Sequence, residues 1–102
     1  MKHIILIAAL LTLPQQLLAD NEICTMAGEV AAQIMLDRQA EKPITEVIKA
    51  RTFEGSPINK MVRAMIIEAY EQPAMRSSGE AARQVAEFRN SAQLQCLKIF
   101  WK

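Results

Sequence analysis

An all-α fold, a small antiparallel bundle of four helices closed by one disulfide, is what the sequence predicts for the chain that follows its first 19 residues. Three observations carry that expectation. From Ile23 to Ile99 apolar residues recur at three- and four-residue spacing, with no strand-like alternation. Turn residues gather at Lys42-Pro43, Glu54-Gly55-Ser56-Pro57 and Pro73 to Gly79, cutting the chain into helical lengths with short connections. The only two cysteines, Cys24 and Cys96, stand near the two ends of this region, where a first and last helix packed antiparallel bring them together. Three glycines and a 5% aromatic content argue against a small sandwich or barrel rich in turns.

Residues 1–19 read as a secretory signal peptide. Lys2 gives a positive start, Ile4 to Leu13 is apolar except for Thr12, and Pro14-Gln15-Gln16 breaks the run before Leu17-Leu18-Ala19. The apolar core is about ten residues, half of the ~20 that a spanning helix needs, so no stable membrane anchor is expected after cleavage. Cys24 lies too far beyond Ala19, and without the small-residue context, for lipidation. The short basic start points to bacterial export, and so to a periplasmic or secreted protein. Residues 20–102 then form a single helical domain.

Cleavage after Ala19 removes only Lys2 of the 12 basic residues and none of the 11 acids, which leaves eleven of each and a formal charge of zero. An electrostatic affinity for nucleic acid or anionic lipid therefore has little support. The only histidine, His3, departs with the leader.

The elements follow in order. Asp20 or Asn21 can cap a first helix, in which Ile23, Met26, Ala27, Val30, Ile34 and Met35 make one apolar face that ends near Lys42. Pro43 opens a short second helix with Ile44, Val47 and Ile48 inward, fading near Phe53. Ser56 and Pro57 start a third, carrying Ile58, Met61, Val62, Met65, Ile66 and Ala69 inward to about Glu71. Ser77, with Glu80 three residues on, has the spacing of a capping box for a fourth helix that reaches Phe100. Gly28, in mid-helix, marks a close helix crossing.

The cysteines read as a structural disulfide. A domain this small buries only ~60–65% of its unfolded surface, and a crosslink closing about 73 residues stabilises by roughly 4 kcal/mol on the chain-entropy model. Redox chemistry would want the pair close in sequence, and zinc would want more ligands than two cysteines without histidine. No metal or cofactor is expected.

Catalysis has no constellation to rest on. Serines 56, 77, 78 and 91 have no histidine as base, Glu68 and Glu71 at helical spacing read as solvated surface, and the isolated glycines form no phosphate loop. Met26, Met35, Met61 and Met65 read as core filler rather than thioether ligands. Arg38 reads as the partner of a glutamate or tyrosine at the core margin, fixing helix register. The fourth helix is the anomaly. Val85, Phe88, Ala92, Cys96 and Ile99 form one stripe, while Leu94, Leu97 and Trp101 point to nearly the opposite side. Either a bent last turn or the second helix covers that side, or it is an apolar patch for a protein partner or a homodimer.

Ile34-Met35-Leu36-Asp37-Arg38-Gln39, Glu68-Ala69-Tyr70-Glu71-Gln72-Pro73, and Glu87-Phe88 with the late Cys96 carry a resemblance. On these residues, over most of the chain past the leader, it resembles a group of uncharacterised small exported proteins of proteobacteria and their prophages. The resemblance implies export and paired cysteines, and implies no activity. The chain has Glu41-Lys42-Pro43 where that group has a glycine followed by a serine cap. The sequence as a whole points to an exported protein that acts by binding, such as an inhibitor or immunity protein. The alternative is an acid- or stress-responsive periplasmic chaperone.

Overall fold

The computed structural model describes residues 2–100, with side chains described over residues 21–99. Four helices follow one another among the described residues: α1 Lys2–Gln39, α2 Ile44–Arg51, α3 Asn59–Glu71 and α4 Ser78–Phe100. No strand occurs among them. The fold is the expected helical bundle, with Cys24 and Cys96 joined by a disulfide.

Helix boundaries follow local chemistry, with corrections to the sequence reading. α1 does not begin at Asp20 or Asn21; it runs through both from Lys2. The alanine- and leucine-rich stretch before them itself favours helix. At its other end α1 stops at Gln39, short of the expected Lys42. Glu41 adopts the left-handed conformation at φ 58°. The Lys42 N–H donates to the Asp37 carbonyl at 3.1 Å and the Glu41 N–H to that of Arg38 at 2.9 Å. These two bonds form a Schellman cap, with glutamate where glycine is usual. Pro43 then leads into α2. That helix ends at Arg51, not Phe53, because Thr52 turns to extended backbone and its hydroxyl donates to the Ile48 carbonyl at 2.6 Å.

The α2–α3 turn passes through Gly55 at φ 79° and is tied by Asn59. The Asn59 amide accepts from the Phe53 N–H at 3.0 Å and donates to the Phe53 carbonyl at 2.5 Å. This clasp moves the start of α3 from the expected Pro57 to Asn59, while Ser56 Oγ accepts from the Ile58 N–H at 3.4 Å. α4 begins as the capping chemistry predicts: Ser77 Oγ accepts from the Glu80 N–H at 3.1 Å.

α1 is the spine. α4 packs antiparallel along it, α3 lies on it beside α4, and α2 packs on α3 and on the end of α1. The core is Ile34, Met35, Val47, Val62, Ile66 and Ala69, with Val85 and Phe88 of α4 packed against it. At Gly28 the two long helices approach closely: a methyl group added there would meet the Gln93 side chain at 2.5 Å. One turn away Cys24 and Cys96 join, their Cα atoms 5.4 Å apart, a bond suited to a non-reducing environment.

The expected inward stripes are not all inward. Ile23, Met26, Ile58, Met61 and Ile99 are exposed, Met26 at 66%. The physical reason is that α2 is only eight residues long and sits against α3 and the far end of α1. Nothing among the described residues is packed opposite these five side chains.

Candidate functional site: an apolar groove between α3 and α4

Both α3 and α4 pack on α1, yet they have no comparable packing with each other. The gap between them is a groove of about 480 Å³. Its floor is α1, through Ile23, Met26, Ala27 and Val30. One wall is α3, where Ile58, Met61, Ala64, Met65 and Glu68 recur every three or four residues and so share one face. The other wall is the α4 face bearing Phe88, Ser91, Ala92, Gln95, Cys96 and Ile99. Phe88 and Met65 also touch the core, which closes the groove at that end.

The lining has one charge. Glu68 stands one turn beyond Met65, at the end of the α3 wall nearer the α3–α4 connection, and is exposed. Among the described residues no cation lies within ion-pair distance of it. Glu71, its sequence neighbour at helical spacing, does not line the groove. Gln95 Nε2 lies 3.5 Å from Ser91 Oγ, a weak contact within the α4 wall. Three methionines, Met26, Met61 and Met65, contribute flexible thioethers, which suits a surface that adapts its shape to an occupant.

Among the described residues, five of the nine exposed large apolar side chains converge on this groove. Scattered exposed apolar residues are ordinary on protein surfaces; convergence of this kind makes the groove the candidate site. The patch expected from the sequence lies elsewhere. Leu94 is exposed at 54%, Leu97 is half-buried, and neither lines the groove. Trp101 lies outside the described residues. α2 does not pack against α4 to cover Leu94, so the helix-two explanation of that side does not hold. The opposite stripe of α4, Phe88-Ala92-Cys96-Ile99, is the one that lines the cavity. Its signal was present in the sequence as an apolar stripe on α3 longer than the short second helix could match.

The polar motif at the other end of α1 is a clamp. Asp37, only 8% exposed, accepts from Arg51 Nε at 2.7 Å and from Lys42 Nζ at 3.2 Å, holding α2. Burial works to raise the Asp37 pKa, but the bonds from Arg51 and Lys42 and their positive charges outweigh it and hold the carboxyl below its ordinary value. Arg38 Nε donates to the Gln72 carbonyl at 2.9 Å, and its guanidinium lies 5.2 Å from the Tyr70 ring centre. The Tyr70 hydroxyl donates to the Lys42 carbonyl at 2.6 Å. Burial, with the negative charges of Asp37 and Glu46, pushes the Tyr70 pKa up against the opposing pull of Arg38. Gln39 completes the clamp, donating to the Pro73 carbonyl at 3.1 Å and accepting from the Met75 N–H at 2.7 Å. Three consecutive residues thus hold α2, the end of α3 and the α3–α4 connection. A hollow of about 220 Å³ beside Asp37, Lys42, Glu46 and Arg51 belongs to this clamp.

No helix among the described residues is long and apolar enough to cross a membrane. Comparison with protein-family models, with curated proteins and with solved structures returns no match.

Proposed function

We infer that this chain is an exported, non-catalytic binding protein, of the kind that serves as an inhibitor or immunity protein, and that it works from the α3–α4 groove. One observation carries the reading: a preformed apolar cavity in the size range of ligand sites, with few polar groups at its margin. Export to the periplasm or beyond is supported by the leader pattern of residues 1–19 and by the disulfide.

The environment-sensitive dye N-phenyl-1-naphthylamine tests the groove. The disulfide-bonded protein is expected to enhance its fluorescence at one site per chain. Met61→Asp, on the groove wall, removes that enhancement, whereas Leu94→Asp, on the other side of α4, leaves it intact. Equal dye binding by all three proteins would remove the groove from the account.

The acid-responsive chaperone remains a second reading because of Asp37. Its carboxylate ties α1 to α2, so protonation in acid loosens α2 and uncovers the core behind it. Light scattering of an aggregating client at low pH tests this reading, and it fails if a stoichiometric excess of the protein gives no suppression.

A further inference from the structure

Resting on the groove reading above, we propose that the occupant is a single-chain amphiphile with a cationic head: one alkyl chain lies along the α1 floor and the head meets Glu68. Shape gives the first argument. The α4 wall from Phe88 to Ile99 is about 16 Å long at 1.5 Å per residue. A chain of about twelve carbons matches that length.

Charge gives the second argument. Among the described residues Glu68 is the only ionisable side chain on the lining, and it stands at one end of the α3 wall rather than in its middle. Among the described residues no cation neutralises it, and no lysine or arginine lines the groove. The site therefore repels a carboxylate, sulfate or phosphate head and attracts an ammonium or guanidinium. At the opposite end the described lining residues, Ile23, Ile58 and Ile99, are apolar and receive the tail. The polarity of the groove thus fixes the direction of the ligand as well as its sign.

Calorimetric titration below the micelle concentrations tests this, with dodecyltrimethylammonium and dodecyl sulfate as the probes and circular dichroism confirming the fold. The wild type is expected to bind the ammonium at one site, roughly five- to tenfold tighter than the sulfate. Glu68→Gln removes the preference while keeping chain binding, and Glu68→Lys reverses it. Butyltrimethylammonium, with the same head and a short tail, does not bind. Equal affinity for the two dodecyl probes, or a preference unchanged in Glu68→Lys, overturns the proposal while leaving the groove reading standing on its dye binding. Loss of dye binding overturns both. Sedimentation at the same concentrations covers the other occupant: a wild-type dimer that Met61→Asp splits places a second copy in the groove and overturns the amphiphile.

Discussion

Asp37 illustrates how one residue sets the chain's response to acid. Its folded pKa is held below its unfolded value of about 3.9, so its contribution is present above that value and is lost as pH falls through the lower folded one. Asp37→Asn is expected to cost ~1.5–3 kcal/mol at pH 7, the range for hydrogen bonds to charged groups, and much less near pH 2. Urea unfolding at the two pH values checks this; an equal cost at both contradicts it. Glu41 is the converse case, a residue placed against its backbone preference at φ 58°. Glu41→Gly should stabilise by ~0.5–1 kcal/mol, read as a higher urea midpoint, because glycine adopts that conformation without a Cβ clash. A lower midpoint would show that the Glu41 side chain matters more than its backbone.

At this scale the sequence was readable where contacts are local or chemically typed. The Ser77–Glu80 cap followed from spacing, and of the two partners expected for Arg38, a glutamate or a tyrosine, the structure shows Tyr70. The partners of Asp37 did not follow from the sequence, because Lys42 and Arg51 reach it only after the left-handed turn at Glu41, and glutamate does not announce such a turn.

Among the elements, Gly28 leaves room on α1 for the Gln93 side chain of α4. Gly28→Val is expected to destabilise by ~1–3 kcal/mol, since the Gln93 side chain fills the space a Cβ would take and the disulfide one turn away resists separation. Thermal unfolding of the oxidised variant checks it, and an unchanged midpoint would mean that Gln93 swings aside without moving α4. Periodicity identified the four helices of the described residues, and turn chemistry placed their ends to within a few residues, except the start of α1, which runs on from Lys2. What periodicity does not encode is which apolar faces meet. The stripes of α3 and α4 read as core because both are regular, yet Ile58, Met61 and Ile99 face a gap that the eight-residue α2 does not fill. The groove face was thus hidden inside residues that looked like ordinary core. Leu94 drew notice because it broke the pattern.

For the molecule as a whole, the disulfide holds the open half together. The buried core lies toward the clamp at Asp37, Arg38 and Gln39, whereas the groove end has few fully buried side chains and depends on Cys24–Cys96 to keep α4 on α1. Replacing both cysteines with serine should lower stability by roughly 3–4 kcal/mol. It should also reduce dye binding before the helical circular dichroism is lost, because the groove wall loosens first. Simultaneous loss of both signals would show instead that the bundle unfolds as one unit. Export is tested separately: N-terminal sequencing of protein recovered from the periplasm is expected to begin at Asp20, and a chain beginning at Met1 contradicts cleavage.

The methionines provide a direct measurement of where a ligand goes. Met26, Met61 and Met65 line the groove, Met35 is buried in the core, and Met75 lies in the α3–α4 connection. With methyl-labelled methionine, titration with N-phenyl-1-naphthylamine should shift the methyl resonances of Met26, Met61 and Met65 along one common binding curve. Those of Met35 and Met75 should stay in place. Shifts confined to Met75, or spread equally over all five, would contradict a ligand held between α3 and α4.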